Sequence, residues 1–392
     1  MNTIVKESIK NPARFTGEIK MTESVLYEAI NAALEKIDKL WDDVNGEFTT
    51  HASINGLYMP EDNFQAGWNT GFWTGILWLA YEITGDKKYK ERAISHIPSF
   101  YKRIDEKIGV NHHDMGFLYV PSCVAAYKIT GNELAKKAAI KAADHLLTRY
   151  IENGGYIQAW GNVGEQPRLI IDCMNNIPLL FWAASETKDD TYFKKAYNHA
   201  KTTIQNIVRE DSSTHHTFYF NPDGTPDRGA THQGAGDNSC WARGQAWLIS
   251  GLPISYRYTK DNSMPVLFEK ITNYYLNRLP KDFVPFWDLD FTDGDNEPRD
   301  SSSAAIAVCG ILEMLPFIED EKLKEIYQGA ADKIMHSLFE NYSTKNSSSN
   351  GLLLHATYSV PHNLGVDECN IWGCYYYFEA LARMYKGING YW

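Results

Sequence analysis

One pattern returns along this chain at intervals of roughly 45 to 70 residues, a spacing that points to stacked supersecondary units. Copies begin at Phe72 (FWTGILWLAYEITGDKKYKE), Phe117 (FLYVPSCVAAYKITGNELAKK), Met174 (MNNIPLLFWAASETKDDTYF), Ala242 (ARGQAWLISGLPISYRYTKDN), Ser301 (SSSAAIAVCGILEMLPFIEDEKLKE) and Ile371 (IWGCYYYFEALARMYKGING). Each joins a helix that is small and apolar nearly all round to a short polar turn, such as Thr84-Gly85-Asp86, and then to a helix with Lys and Glu on one face. A helix apolar on all sides must be buried, and a one-sided helix lies at a surface. Six inner and six outer helices predict an all-α fold closed into an (α/α)6 barrel, a six-hairpin toroid. An open helical solenoid is the alternative that the same repeat could build. Closure is preferred, because the uniformly apolar first helices leave no polar capping repeat at either end. Strand signals are sparse: HTFYF from His216 and GLLLHATYSV from Gly351 are expected as short strands in loops on one rim. Residues 1–392 are expected to form one barrel domain, with residues 1–22 as an N-terminal arm packed on it.

With 44% hydrophobic and 22% charged residues, the chain can bury a large core. A net charge of −11 and the lack of any dense Lys/Arg block argue against a nucleic-acid surface. The opening MNTIVKESIKNPARFTGEIK lacks the apolar run of a secretory signal, and no stretch is long and apolar enough for a membrane span. A cytoplasmic protein, monomer or homodimer, is expected. Six cysteines (Cys123, Cys173, Cys240, Cys309, Cys369, Cys374) form no C-x-x-C pair and read as buried, reduced thiols. The two His-His pairs come without H-E-x-x-H or a Cys/His cluster, so no metal and no cofactor are expected. GAGDNS lacks the context of a phosphate loop, and there is no G-x-S-x-G nucleophile motif.

The segments preceding the inner helices share acidic or amide residues: Trp68-Asn69, His113-Asp114, Asp172, Asp237-Asn238, Asp300 and Asp367. Each reads singly as an N-cap, whose side chain accepts from the first free amides. Together they ring one end of a barrel, since all six inner helices start at the same rim. The same segments carry Trp68, Phe72, His112, His113, Trp160, His215, His216, His232, Gln233, Trp241, Arg243, Trp247 and Tyr358. Aromatic faces beside carboxylates and donors suit a sugar ring, which offers C–H faces to stack and hydroxyls to bond.

HHDMGF at His112, RLIIDCMNNIPLLFWAA at Arg168, HTFYFNPDG at His216, THQGAGDNSCWARGQAW at Thr231 and GVDECNIWGCYYYFEAL at Gly365 resemble the unsaturated glucuronyl hydrolases. The likeness runs from about Trp68 to Trp392 and implies an (α/α)6 barrel. It also implies hydrolysis of the unsaturated 4,5-uronic acid from the non-reducing end of lyase-generated glycosaminoglycan oligosaccharides. By motif, Asp172 would be general acid and base, with Asp114 assisting and holding the ring. The resemblance places His113, His216, Gln233, Arg243 and Trp247 in the substrate pocket and Trp68, Phe72, Trp160 and Tyr358 in its aromatic wall. Members favouring sulfated disaccharides are similar in a Ser-x-x-Ser-x-Lys stretch. This chain reads SVPHNLGVDE, keeping Ser359 while His362 and Leu364 replace the second serine and the lysine. Unsulfated or differently sulfated substrates are therefore expected. Two other readings stand beside this one: a hydrolase for unsaturated galacturonyl-rhamnose from pectin, and, from another class, a sugar 2-epimerase using His113 and His216. A sugar-binding protein without catalysis is the blandest.

Overall fold

The computed structural model describes residues 4–17 and 19–392. Its helices run, in chain order, α1 (Glu23–Asp43), α2 (Thr70–Thr84), α3 (Lys87–Asp105), α4 (Met115–Tyr119), α5 (Ala125–Thr130), α6 (Glu133–Leu147), α7 (Pro178–Thr187), α8 (Asp190–Ile207), α9 (Ala242–Thr259), α10 (Ser263–Leu276), α11 (Ser301–Met314), α12 (Glu321–Ser337) and α13 (Ile371–Lys386). A π-helical turn, Val120–Val124, joins α4 to α5 into one inner helix. It contains Pro121, whose missing N–H gives a reason for the irregularity. Inner helices α2, α4–α5, α7, α9, α11 and α13 thus alternate with outer helices α1, α3, α6, α8, α10 and α12, and the toroid is the (α/α)6 barrel read from the repeat.

The inner helices are buried on nearly every side, whereas α3, α8 and α12 bury one face only. Their connections are tight because a left-handed residue ends the inner helix and an Asx residue caps the outer one. Gly85 and Gly131 take φ of +71° and +70°. Asp86 then accepts from the Lys88 amide at 3.0 Å and Asn132 from the Ala135 amide at 2.9 Å. The sixth hairpin is completed from the far end of the chain: α1, which carries no recognisable copy of the repeat, packs on α13. Residues 4–17 lie along α10 and α12. Glu7 pairs with Arg278 at 3.0 Å, and Phe15 is buried with its carbonyl against Gly329.

Short strands gather at the rim. β1 (Phe48–Thr49) pairs with β2 (Pro60–Glu61), and β3 (Tyr150–Ile151) with β4 (Tyr156–Ile157). β5 (Arg168–Ile170), β6 (Thr217–Phe220) and β7 (Pro226–Ala230) make an antiparallel sheet. HTFYF is the strand expected there. GLLLHATYSV is not a strand; its residues make only isolated bridges, Leu353 to Ser343, Ala356 to Glu368 and Ser359 to Leu364. All six cysteines are buried and unpaired. No helix among the described residues is long and apolar enough to cross a membrane.

Each of the six seams between neighbouring inner helices closes on a glycine. A Cβ on Gly71 would lie 2.2 Å from the Phe117 carbonyl oxygen, and one on Gly116 2.3 Å from the Asn176 Cα. The same holds for Gly251 against Met174 (2.5 Å), Gly310 against the Ile249 carbonyl oxygen (2.4 Å), Gly373 against Ser302 (2.8 Å) and Gly75 against Tyr375 (2.6 Å). Three of the contacts are with backbone atoms, which cannot swing aside. Gly310→Ala is expected to destabilise the protein by about 1–3 kcal/mol through overpacking alone. Denaturant unfolding checks this, with a lowered midpoint and an unchanged slope.

Candidate active site

Asp114 sits in the turn entering α4, and Asp172 in a 3-10 turn (Ile171–Asn175) that leads from β5 into α7. These are adjacent inner helices, so both carboxylates reach the same mouth. Capping does not occupy them. Asp114 stands at the N-cap position of α4 but makes no side-chain cap bond, and Asp172 is already inside its turn. Of the other acidic or amide residues in the ring, Asp300 does cap, accepting from the Ser302 amide at 3.2 Å, while α13 is capped by Asn370 rather than Asp367.

His113 joins the two acids. Its Nε2 lies 3.2 Å from Asp114 Oδ1 and 3.5 Å from Asp172 Oδ1, and one donor atom of each residue lies within 4.8 Å of the others. Asn176 braces the pair: its Nδ2 donates to Asp114 Oδ1 at 3.3 Å and to the Asp172 carbonyl at 3.4 Å, while its Oδ1 accepts the Phe117 amide at 3.0 Å. A Cβ on Gly116 would strike Asn176, so the glycine of HDMGF is what lets α4 approach this amide.

The carboxyls are driven apart in acidity. Burial raises Asp172, and the Asp114 charge adds to it, against a partial offset from His113. Burial would raise Asp114 as well, but the opposing His113 and the hydrogen bonds around it carry Asp114 below the usual carboxylate range. Burial disfavours a charge on His113; the Asp114 carboxylate together with the hydrogen bond and charge of Asp172 outweighs that and raises it. The two carboxyls are thus shifted in opposite directions about a shared histidine, and Asp172 is the one favoured to hold a proton.

His216 is a different kind of group. Its Nδ1 accepts the backbone amides of His232 and Gln233 at 3.0 and 3.2 Å, which leaves the proton on Nε2. Burial pushes its pKa well below the ordinary value, so it is a neutral, fixed donor. That is poor equipment for a histidine acid/base pair of the epimerase kind.

Aromatic rings surround this centre at two depths. Trp160 is partly exposed and meets His113 and His216 edge-on, with ring centroids 6.3 and 6.0 Å away. Its backbone is left-handed, φ +46°, held by Arg149, which donates to the carbonyls of Trp160 and Gly161 at 2.8 Å. Trp68 and Tyr358 are half-buried and linked by a 3.2 Å bond from the indole N–H to the phenol oxygen. Phe72 and Trp247, expected beside them, lie one layer deeper. Both are buried, and both pack on Phe117, at 5.3 and 5.0 Å between centroids.

Arg243 and Gln233 converge on one loop. Arg243 is buried, pairs with Asp300 at 2.6 Å, and donates to the carbonyls of Thr357 and Tyr358. Gln233 donates to the Tyr358 carbonyl at 2.8 Å. Ser359 is buried and hydrogen-bonded to His362 Nδ1 at 2.7 Å, and His362 lies on His232 with centroids 4.4 Å apart. Leu364 is exposed at the same edge. Asn176 and Phe117 went unremarked as individual residues in the sequence, although both lie inside the quoted motifs. The signal that could have found Asn176 is a pair of amides opening an otherwise apolar helix. Among the described residues, His113, Asp114 and Asp172 are also the one grouping of His, Cys, Asp or Glu donors near enough to share an ion.

Known proteins resemble this chain in both sequence and fold. The pattern of Glycosyl Hydrolase Family 88 matches residues 37–386. The chain is 50% identical over 391 residues to the unsaturated chondroitin disaccharide hydrolase of Streptococcus agalactiae, covering 98% of each chain. Its fold superposes on the crystal structure of an unsaturated glucuronyl hydrolase from that organism with a TM-score of 0.97, at 50% identity, covering 100% of this chain and 99% of the other. A mutant of the same enzyme complexed with dGlcA-GalNAc6S superposes with a TM-score of 0.90 at 47% identity, with the same coverage. With the two acids at one mouth and a match along nearly its whole length, this chain belongs to Glycosyl Hydrolase Family 88.

Proposed function

We propose that the chain releases the unsaturated 4,5-uronic acid from the non-reducing end of lyase-generated glycosaminoglycan oligosaccharides, with Asp172 as acid and base. The observation that carries this reading is the meeting of two carboxyls at one mouth about His113, whose Nε2 lies 3.2 Å from Asp114 and 3.5 Å from Asp172, with Asp172 raised and Asp114 lowered. The substrate's C4–C5 double bond is part of a vinyl ether. Its π electrons take the Asp172 proton at C4, which leaves an oxocarbenium spread over C5 and the ring oxygen. Water adds at C5 and returns its proton to Asp172. The hemiketal formed opens and frees the next sugar. A positioned acid that returns as base contributes typically about 10²–10⁴ in rate. Asp114, kept ionised, raises the affinity of Asp172 for its proton and faces the developing cation.

His216 Nε2–H offers a donor to a ring hydroxyl or carboxylate, and Trp160, Trp68 and Tyr358 supply faces for the ring. Arg243 and Gln233 set the Tyr358–Ser359 segment from behind, and Phe72 and Trp247 floor the pocket through Phe117. On the outer edge, Ser359 bonds His362 instead of standing free, and the exposed Leu364 offers no donor to a sulfate. That supports unsulfated or differently sulfated substrates. The pectin-derived unsaturated galacturonyl-rhamnose remains the second substrate to compare, since the chemistry is the same.

Loss of enoate ultraviolet absorbance on unsaturated disaccharides measures the activity. Asp172→Asn is expected to lower kcat by about 10³-fold or more and Asp114→Asn by about 10²-fold; an active Asp172→Asn enzyme ends the assignment. The kcat profile is expected to be bell-shaped. It falls as pH drops through Asp114, and falls again as pH rises through Asp172. His113→Gln removes a cation that lowers both acids, so both limbs should move to higher pH. In the same assay the unsulfated chondroitin disaccharide should turn over faster than the 6-sulfated one.

A further inference from the structure

Past α13 the chain does not leave the barrel. Lys386 donates to the Ile83 carbonyl at 2.6 Å at the mouth opposite the acids, and residues 388–392 then fold back across that mouth, where Lys128 and Arg257 hold the Tyr391 and Trp392 carbonyls and only the Trp392 side chain reaches up the axis. Trp392 is 2% exposed. Its ring is parallel to Tyr376 at 5.9 Å and edge-on to Phe117 at 6.2 Å. Tyr376 is five residues into α13 and Phe117 two residues into α4. At 1.5 Å per residue, these two ring partners stand within about 8 Å of the rim that carries the acids, and Glu379, which the indole N–H reaches, about 12 Å below it.

Specific bonds hold the insertion. Trp392 Nε1 donates to Glu379 Oε2 at 3.0 Å, and Glu379, fully buried, pairs with Arg383 at 2.8 Å. Gly390 lies so close to this carboxylate that a Cβ would come within 2.5 Å of Oε1. The Tyr391 hydroxyl donates to Glu82 at 2.6 Å, and Lys128 donates to the Tyr391 carbonyl at 2.6 Å. On its upper side the indole meets Phe117, whose amide holds the Asn176 oxygen at 3.0 Å. Asn176 in turn reaches Asp114 and the Asp172 carbonyl.

We infer that Trp392 is a positioning residue for the hydration reaction: its indole fills the axis beneath Phe117, and so holds the Asn176 brace in register and the floor of the site dry. The inference rests on the acid role proposed above for Asp172. Removing the indole leaves a cavity beneath Phe117, lets the brace shift and admits water from below. A displacement of the order of 1 Å at reacting groups costs about 10²-fold in rate. Water reaching Asp172 also relieves the burial that raises its pKa. The charged and titratable groups facing Asp172, namely His113, Asp114, Cys173, Arg243 and Tyr358, are unchanged by the substitution.

The test compares Trp392→Ala, Trp392→Leu and Trp392→Phe with Ile334→Ala, a buried position on α12 that should cost stability without touching the floor. Helical circular dichroism and thermal unfolding establish which are folded at the assay temperature. For Trp392→Ala we expect kcat to fall by about 10- to 100-fold with a smaller change in KM. The alkaline limb of kcat should move to lower pH, while Trp392→Phe and Ile334→Ala keep the wild-type limb. If Trp392→Ala does not fold, the Leu variant is read in its place. A folded variant with kcat within about twofold of wild type and an unmoved limb, alongside an inactive Asp172→Asn, overturns this inference alone. An active Asp172→Asn enzyme overturns the proposed function instead.

Discussion

Backbone-to-backbone approach of the inner helices is the condition on which the site depends. Helices faced with large side chains stand some 8–10 Å apart; here six glycines, one at each seam, take the place of a Cβ that would overlap a neighbour. The ring contracts, and the residues that open each inner helix are drawn toward a common axis. Two of those seams lie directly under the chemistry. Gly71 admits the carbonyl of Phe117, and Gly116 admits Asn176, the residue that ties Asp114 to the turn of Asp172. Geometry that looks like an active-site property is in this sense a packing property of the barrel wall.

Within that frame, burial alone does not distinguish the two acids. Both are enclosed, and burial pushes both the same way. The difference comes from asymmetry of contact: Asp114 receives the closer approach of His113 and the Asn176 amide, whereas Asp172 keeps an unpartnered buried oxygen. His113 therefore bears on both carboxyls. It lowers the pKa of one neighbour, and it limits how far the other rises.

Much of this was legible beforehand because repetition and burial leave marks in composition. The apolar first helices, the Gly-Asx turns and the two aspartates at inner-helix starts all follow from local chemistry that a reader of the chain can apply. Other features had no local signature. α1 completes the sixth hairpin from the other end of the chain, and nothing within residues 23–43 announces its partner. Phe72 and Trp247 could be placed near the site but not at a depth, since an aromatic on an all-apolar helix has no marked face. GLLLHATYSV alternates like a strand, yet it is pinned by carbonyl bonds to Arg243 and Gln233 rather than by a ladder. Long-range pairing of this sort overrides β propensity.

The pairing of α1 with α13 also bears on how the molecule comes to exist. The two helices lie more than 300 positions apart in the chain, and the loop leading to α13 is tied to α1 over a similar span, as in the bond from Asn350 to Asp43 at a separation of 307. Local hairpins can assemble early, but the ring has no closed interior until one extremity finds the other, a search over long chain distance that slows folding. During synthesis the apolar flanks of the first and fifth hairpins stand open to water and to neighbouring chains. Crowded expression, rather than the finished enzyme, is where this architecture is most vulnerable.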